Sequence, residues 1–398
     1  MAEYTLVADD AALDAAADAL DAGSGPFAVD VERASGFRYS QRAYLVQVFR
    51  RDAGTYLFDP PALTRFARLQ QTLAGADWVL HAASQDLPSL RELGLEPLRI
   101  FDTELASRLL GRERVGLGAV VEDLLGVTLA KAHSAADWST RPLPGDWLDY
   151  AALDVYYLID VYEALASELA AQHKTELAAE EFDAVLNRPA KPPRSDPWRR
   201  LSGLHTLRGR RSLAVARELW LAREELAIAD DVSPGRLIPD RSLVAAVAAD
   251  PASKRDLAAL KTFTGRASRT ELDRWWAAIE RGRTATELPI ERIAGETLPP
   301  VRAWVDRNPA AHARLKAARP AVEARAEARQ MPAENLLTPE LLRRLAWDPP
   351  SPIDAATIGE ALLAAGARPW QVNETAQVIA AAFVDSVQEA STPPKTAS

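Results

Sequence analysis

The residues best placed to do chemistry begin at Phe27-Ala28-Val29-Asp30-Val31-Glu32. Side chains alternate along a strand, so Asp30 and Glu32 share one face, roughly 7 Å apart along it. Ala28 precedes them on that face, while Phe27, Val29 and Val31 supply the other. Two acids at the end of a buried strand sit where a sheet meets solvent, and carboxylates that close repel unless a cation joins them. A third acid, Asp86, follows His81-Ala82-Ala83-Ser84-Gln85 near a strand-to-helix junction, the side of an α/β sheet where sites form. Taken alone, Asp86 equally suits a helix start. The last pair, Tyr150 and Asp154, lies in an apolar-periodic stretch from about Pro144 to Ala171. A spacing of four puts the phenol and the carboxylate on one helix face, their Cβ atoms roughly 6 Å apart.

The elements that must hold these groups follow from periodicity. Tyr4 to Val7 reads as an edge strand, and Asp9 or Asp10 caps an Ala-rich helix ending near Gly23. After the strand carrying Asp30, Tyr44 to Phe49 and Thr55 to Phe58 form a hairpin across Asp52-Ala53-Gly54, so three antiparallel strands open the sheet. A helix from about Pro61 to Leu73, a short strand Trp78 to His81, and a helix through Leu87, Leu90 and Leu93 then alternate as an α/β layer structure with a mixed sheet. Asp102, after Leu98-Arg99-Ile100-Phe101, fits a helix cap or a carboxylate supporting the site.

Composition narrows the chemistry. With 398 residues the chain holds two or three domains, each able to bury a core. The absence of Cys excludes disulfides, thiolate catalysis and Cys-held zinc. The five His are scattered without a pair at ligand spacing, so a metal here takes oxygen ligands, favouring Mg²⁺, Mn²⁺ or Ca²⁺. No basic leader with an apolar run follows Met1, and no apolar run reaches membrane-spanning length, so the expected location is the cytoplasm, with no membrane partner. A net charge of -9 is not that of a uniformly basic nucleic-acid binder, which makes the distribution of charge more telling than its sum.

Val29-Asp30-Val31-Glu32, then Asp86 after its His81-to-Gln85 lead, then Tyr150 with Asp154, resemble the three exonuclease motifs of the DEDDy 3′-to-5′ exonucleases, most closely the ribonuclease D family. Lys131, Asp137-Trp138 and Arg141-Pro142-Leu143 match that family's pattern between the second and third motifs, and the whole constellation covers about 125 residues. The resemblance implies an RNase H-like fold with a mixed, roughly five-stranded sheet and helices on its faces. It also implies two divalent ions, Mg²⁺ or Mn²⁺, about 4 Å apart, which activate a water and offset charge on the leaving oxygen. Carried over by residue, Asp30 bridges both ions, Glu32 and Asp154 complete the site of the water-activating ion, Asp86 serves the other, and Tyr150 orients or helps deprotonate the water. For substrate contacts it suggests Gln47, or Ser40-Gln41, at the terminal nucleotide, and Lys131 and Arg141 at phosphates. Trp138 reads as packing, and His81 and His133 as structural.

Asn187 to Pro197 is too proline-rich for helix or sheet and reads as a semi-rigid linker. The arginine-dense stretch that begins there and includes Arg208, Arg210 and Arg211 reads either as a phosphate-tracking surface or as ordinary surface arginines. From Leu213 the pattern is helical and resembles the HRDC domain, with Arg217, Arg223, Asp240 and Leu260 to Gly265 in familiar places. A second helical stretch of similar proportions reads as a divergent HRDC-like copy. The expected organisation is an exonuclease domain over 1–187, a linker over 188–197, an HRDC domain over 198–285, a second bundle over 298–386 and a disordered tail over 387–398. The expected function is metal-dependent 3′-to-5′ exoribonuclease action on RNA 3′ ends, with tRNA precursors as the family-implied substrate, single-stranded nucleic acid met through the HRDC domains, and a monomeric state. A DNA exonuclease of the same superfamily and a noncatalytic RNA-binding or partner-docking module are the alternatives.

Overall fold

The computed structural model of the protein describes residues 3–129, 133, 135–190, 192, 194–291 and 298–391. Six strands form one mixed sheet: β1 (Tyr4–Val7), β2 (Ser24–Arg33), β3 (Ala43–Arg51), β4 (Gly54–Phe58), β5 (Trp78–Leu80) and β6 (Ile100–Asp102), in the order β1-β4-β3-β2-β5-β6. β2, β3 and β4 pair antiparallel as the hairpin chemistry requires, while β1 joins β4, and β5 joins β2 and β6, in parallel. The sixth strand exceeds the five expected. It is Ile100-Phe101-Asp102, too short to show a period of its own and recognisable only by its pairing with β5.

Alternation along β2 divides the protein. Phe27, Val29 and Val31 enter a large core with Val46, Val48 and Leu13 on one face. On the other face, Ala28 packs with Val155, Leu158 and Ile159, and Leu45 and Leu57 pack with Ala151 and Ala152. The apolar-periodic stretch from about Pro144 to Ala171 is helical, as two helices, Gly145–Tyr156 and Leu158–Ala171, with a break at Tyr157. The expected helix from Pro61 is a short turn, Pro60–Ala62, followed by a helix Ala67–Leu73.

Two helical bodies follow. Leu219, Ile238, Leu243, Phe263 and Trp275 belong to a core separate from that of the sheet domain. Within this body Arg223 is buried, its guanidinium bonded to Asp240 Oδ1 at 2.7 Å and to the Ile238 carbonyl at 3.1 Å. It meets the sheet domain through polar contacts. Asp231 accepts from the Ser40 amide at 2.9 Å, and Arg236 donates to the Gly36 carbonyl at 2.7 Å while lying 3.8 Å from the Phe37 ring centroid. The segment around Ser40 and Gln41, suggested for nucleotide contact, is thus held at an interdomain junction.

The last bundle docks differently, because its apolar residues Leu336, Ile358 and Phe383 are continuous with the sheet-domain core. Lys174 is buried at this junction and donates to the carbonyls of Leu109 at 2.8 Å and Gln330 at 3.1 Å, while burial and then the nearby Arg329 lower its pKa to about 8. The final helix, Pro369–Ser391, carries 387–391 into helix rather than into the expected tail; Val387 to Ala390 contain no Gly or Pro to stop it. Residues 392–398 lie outside the described residues.

Gly111 marks a close approach between these two bodies. Its φ is +79°, and a Cβ there would stand 2.6 Å from the Gln330 carbonyl oxygen. Gly111→Ala is expected to cost about 1–3 kcal/mol from backbone strain and the clash together. Urea unfolding should show this loss, with faster proteolysis at the junction, while variants at exposed positions of the same helices leave both unchanged.

Candidate active site

Asp30 and Glu32 project from β2 beneath the helix Gly145–Tyr156, which sets Asp154 over them. One oxygen from each of Asp30, Glu32 and Asp154 falls within 4.8 Å of the others. These three acids form the floor of a cavity of about 680 Å³ whose walls include Asp86, Tyr150, His81 and Arg33. Tyr150 lies one helical turn from Asp154, and its phenol is pushed up by burial and by the neighbouring carboxylates.

Asp86 occupies the first position before the helix Leu87–Glu92 but does not cap it. Its buried carboxylate faces Arg33, 3.5 Å away. The turn that presents it is held by Asp102, which accepts from the amides of Ala82 at 3.0 Å and Ala83 at 2.9 Å, and also from Glu104 and Leu105. Both roles open for Asp102 are therefore filled at once: it caps the helix Thr103–Leu109 and braces a left-handed Ala82, with φ of 62°. This bracing pattern has no sequence signal, since it needs β5 and β6 side by side.

Burial dominates the electrostatics. It raises Asp30, Asp86 and Asp154 above the usual carboxylate range, and Glu32, also repelled by the other three, is pushed up to about 10. His81 moves the other way, to about 4, because burial disfavours its cationic form, so it is neutral at pH 7; its Nδ1 lies 2.9 Å from Thr103 Oγ1. A hard divalent cation fits this donor set, since every ligand atom is a carboxylate oxygen.

The substrate contacts read from sequence come out differently. Gln47 is opposite Asp30 in the β2–β3 register and wholly buried, with neither amide atom hydrogen-bonded, so it does not reach the cavity. Its strand is central and its face is covered by the helix above. Arg141 is occupied by the Asp59 carboxylate at 2.6 Å and by the carbonyls of Trp138 and Tyr44, each at 2.8 Å. Lys131 lies outside the described residues. Arg210 donates to the carbonyls of Pro289 and Leu288, and Arg211 to that of Ala285, tying down the chain after the helix Leu272–Thr284 instead of forming an open phosphate track. Arg208 bonds the nearby His205 and Leu207 carbonyls beside a different cavity. For Arg141, Arg210 and Arg211 tertiary folding supplies the guanidinium with a carbonyl or acid that sequence distance conceals. Trp138 is buried against Trp147, with ring centroids 5.3 Å apart. His133 lies edge-on to Tyr150 at 5.9 Å.

Residues 4–170 match the family model described as 3′-5′ exonuclease, residues 212–279 match the HRDC domain, and residues 297–383 match the model described as 3′ to 5′ exonuclease C-terminal domain. The fold and these matches together define an RNase H-like 3′-5′ exonuclease domain joined to an HRDC helical region. A solved protein from Bifidobacterium adolescentis is 34% identical, with 96% of this chain and 100% of that one covered and a TM-score of 0.88. Ribonuclease D of Acidiphilium cryptum is 35% identical over 207 residues, which are 50% of this chain and 48% of that protein. The crystal structure of Escherichia coli RNase D shares the fold, with a TM-score of 0.70 at 24% identity over 97% of this chain and 99% of that one. On these grounds the chain carries a 3′-5′ exonuclease domain and an HRDC domain, and over about half its length it is similar to ribonuclease D. The chain spans about half the length of the first curated relatives it matches.

Proposed function

We propose that this protein is a metal-dependent 3′-to-5′ exoribonuclease of the cytoplasm that trims RNA 3′ ends, tRNA precursors among them, and acts as a monomer. The observation that carries this reading is the floor of three convergent carboxylates with Tyr150 beside them, at the base of a cavity of about 680 Å³. Asp30, Glu32, Asp154 and Asp86 are the residues that would hold divalent Mg²⁺ or Mn²⁺, and such ions supply a water nucleophilic near neutral pH and charge compensation at the leaving 3′ oxygen.

The protein's own groups do the rest. Burial holds the four acids in a low-dielectric floor where their attraction for a cation is strongest. Tyr150 keeps its proton at neutral pH, since its pKa is raised, and so acts as a donor that orients a water beside Asp154 rather than as a base. His81 is neutral and contributes shape without charge. The HRDC region is the natural place for further contact with single-stranded nucleic acid. The reading of the last bundle as a divergent HRDC-like copy is supported by its similar proportions, while the family model it matches is the 3′ to 5′ exonuclease C-terminal domain.

A denaturing-gel time course on 5′-labelled RNA and matching DNA, with Mg²⁺, Mn²⁺ or EDTA, tests the reading. The expected result is a ladder shortening from the 3′ end, dependent on metal and faster on RNA. Tyr150→Phe should lower kcat by about 10²-fold with little change in KM, because it removes an orienting hydrogen bond and not a binding surface. Faster cleavage of DNA would move the assignment to a DNA exonuclease. Intact RNA with folded protein across both metals would leave a binding module.

A further inference from the structure

Arg33 is the last residue of β2, directly after Glu32, and simple alternation would turn it to the opposite face of the sheet. The β2–β3 register shifts between Glu32 and Arg33, a bulge-type irregularity of the kind that re-aims a side chain. Arg33 accordingly lines the cavity. Its Nη2 lies 3.5 Å from Asp86 Oδ1, and its Nη1 donates to the Gln85 carbonyl. The other arginine lining the cavity, Arg114, is paired with Glu122 at 3.2 Å and Asp123 at 2.7 Å.

The four acids are thus divided. Asp30, Glu32 and Asp154 converge within 4.8 Å, whereas Asp86 lies outside that group and has Arg33 as its counter-ion. At 3.5 Å the pair is longer than a tight charge-assisted hydrogen bond, and the Arg33 side chain keeps 20% of its surface exposed. Such a contact is easily exchanged, and a guanidinium released from a carboxylate is well suited to bind phosphate oxygens.

Resting on the exonuclease reading, we propose that Arg33 is a displaceable counter-ion of Asp86, giving up that carboxylate to a divalent cation and turning to a phosphate of the RNA 3′-terminal nucleotide. Cation and RNA then help each other bind. The cation frees the guanidinium for phosphate, and the phosphate removes the guanidinium as a competitor for Asp86. Linkage requires the two effects to be equal in size.

The test is Mn²⁺ titration of the full chain by electron paramagnetic resonance and calorimetry, with and without a short single-stranded RNA carrying a phosphorothioate at its last linkage. For wild type we expect one tighter and one weaker step, the weaker tightened about tenfold by the RNA. In Arg33→Gln the weaker step should tighten about tenfold without RNA, the RNA-induced gain should fall below about twofold, and KM for RNA should rise by about tenfold. Arg33→Lys, which retains a cation, should restore part of the coupling, and Asp86→Asn should abolish the weaker step. Unchanged weaker-step affinity in folded Arg33→Gln, or full RNA coupling in its absence, overturns the proposal. Wild type that takes up no Mn²⁺ and leaves RNA intact would instead remove the exonuclease reading on which it rests.

Discussion

Asp30→Asn is expected to slow RNA hydrolysis by about 10³-fold or more, a loss of about 4 kcal/mol or more of transition-state stabilisation, while making the metal-free protein more stable. The two effects share one cause. After burial, the Asp30 charge is the largest influence raising Glu32, Asp86 and Asp154, so the amide removes repulsion from a buried cluster as it removes a ligand. Sites that bind cations strongly are costly to the empty fold, a common form of the stability–activity trade-off. Thermal melts in EDTA, paired with single-turnover cleavage, check both effects. An inactive variant that also melts lower would point to misfolding, and an active one would remove Asp30 from the site.

The second large effect is in the pH dependence of stability. Glu32 has its pKa pushed from the ordinary glutamate range to about 10, chiefly by burial and then by Asp30, Asp154 and Asp86. The unfolded chain loses that proton near pH 4.5 while the metal-free fold keeps it, so the unfolded state binds fewer protons and stability falls as pH rises between the two values. Each such group contributes a slope of up to about 1.4 kcal/mol per pH unit. Metal-free protein should therefore melt lower by about 5 °C or more at pH 9 than at pH 6. Mn²⁺ or Mg²⁺ displaces the proton, so the melting-point gain from metal should grow over the same range. Glu32→Gln should flatten the metal-free slope. A melting point that rises with pH in EDTA would contradict the buried state of these acids.

Much of the site was legible because its geometry is local. Alternation alone puts Asp30 and Glu32 on one face, and a four-residue helical spacing aligns Tyr150 with Asp154. Hydrophobic periodicity likewise located five of the strands, since Phe27, Val29 and Val31 oppose Ala28 and the acids whatever the neighbours are. β6 escaped because three residues carry no period, and the break at Tyr157 because the apolar pattern runs through it.

What only tertiary structure decided was which charges meet. Arg141 reads as a free cation until β4 brings Asp59 to it, and Arg210 and Arg211 read either as a phosphate track or as ordinary surface arginines until the backbone carbonyls after the helix Leu272–Thr284 reach them. Gln47 reads as a contact residue until the sheet buries it opposite Asp30. Arg33 carries no sequence signal at all, because a register shift in β2 turns it into the cavity. Sequence by itself determined the faces of each element and the acids they carry, since these follow from the chain's own 2.0 and 3.6 periods. The partner of each long cationic side chain was decided by the fold, because it depends on which distant acid or carbonyl packing brings within a few ångströms.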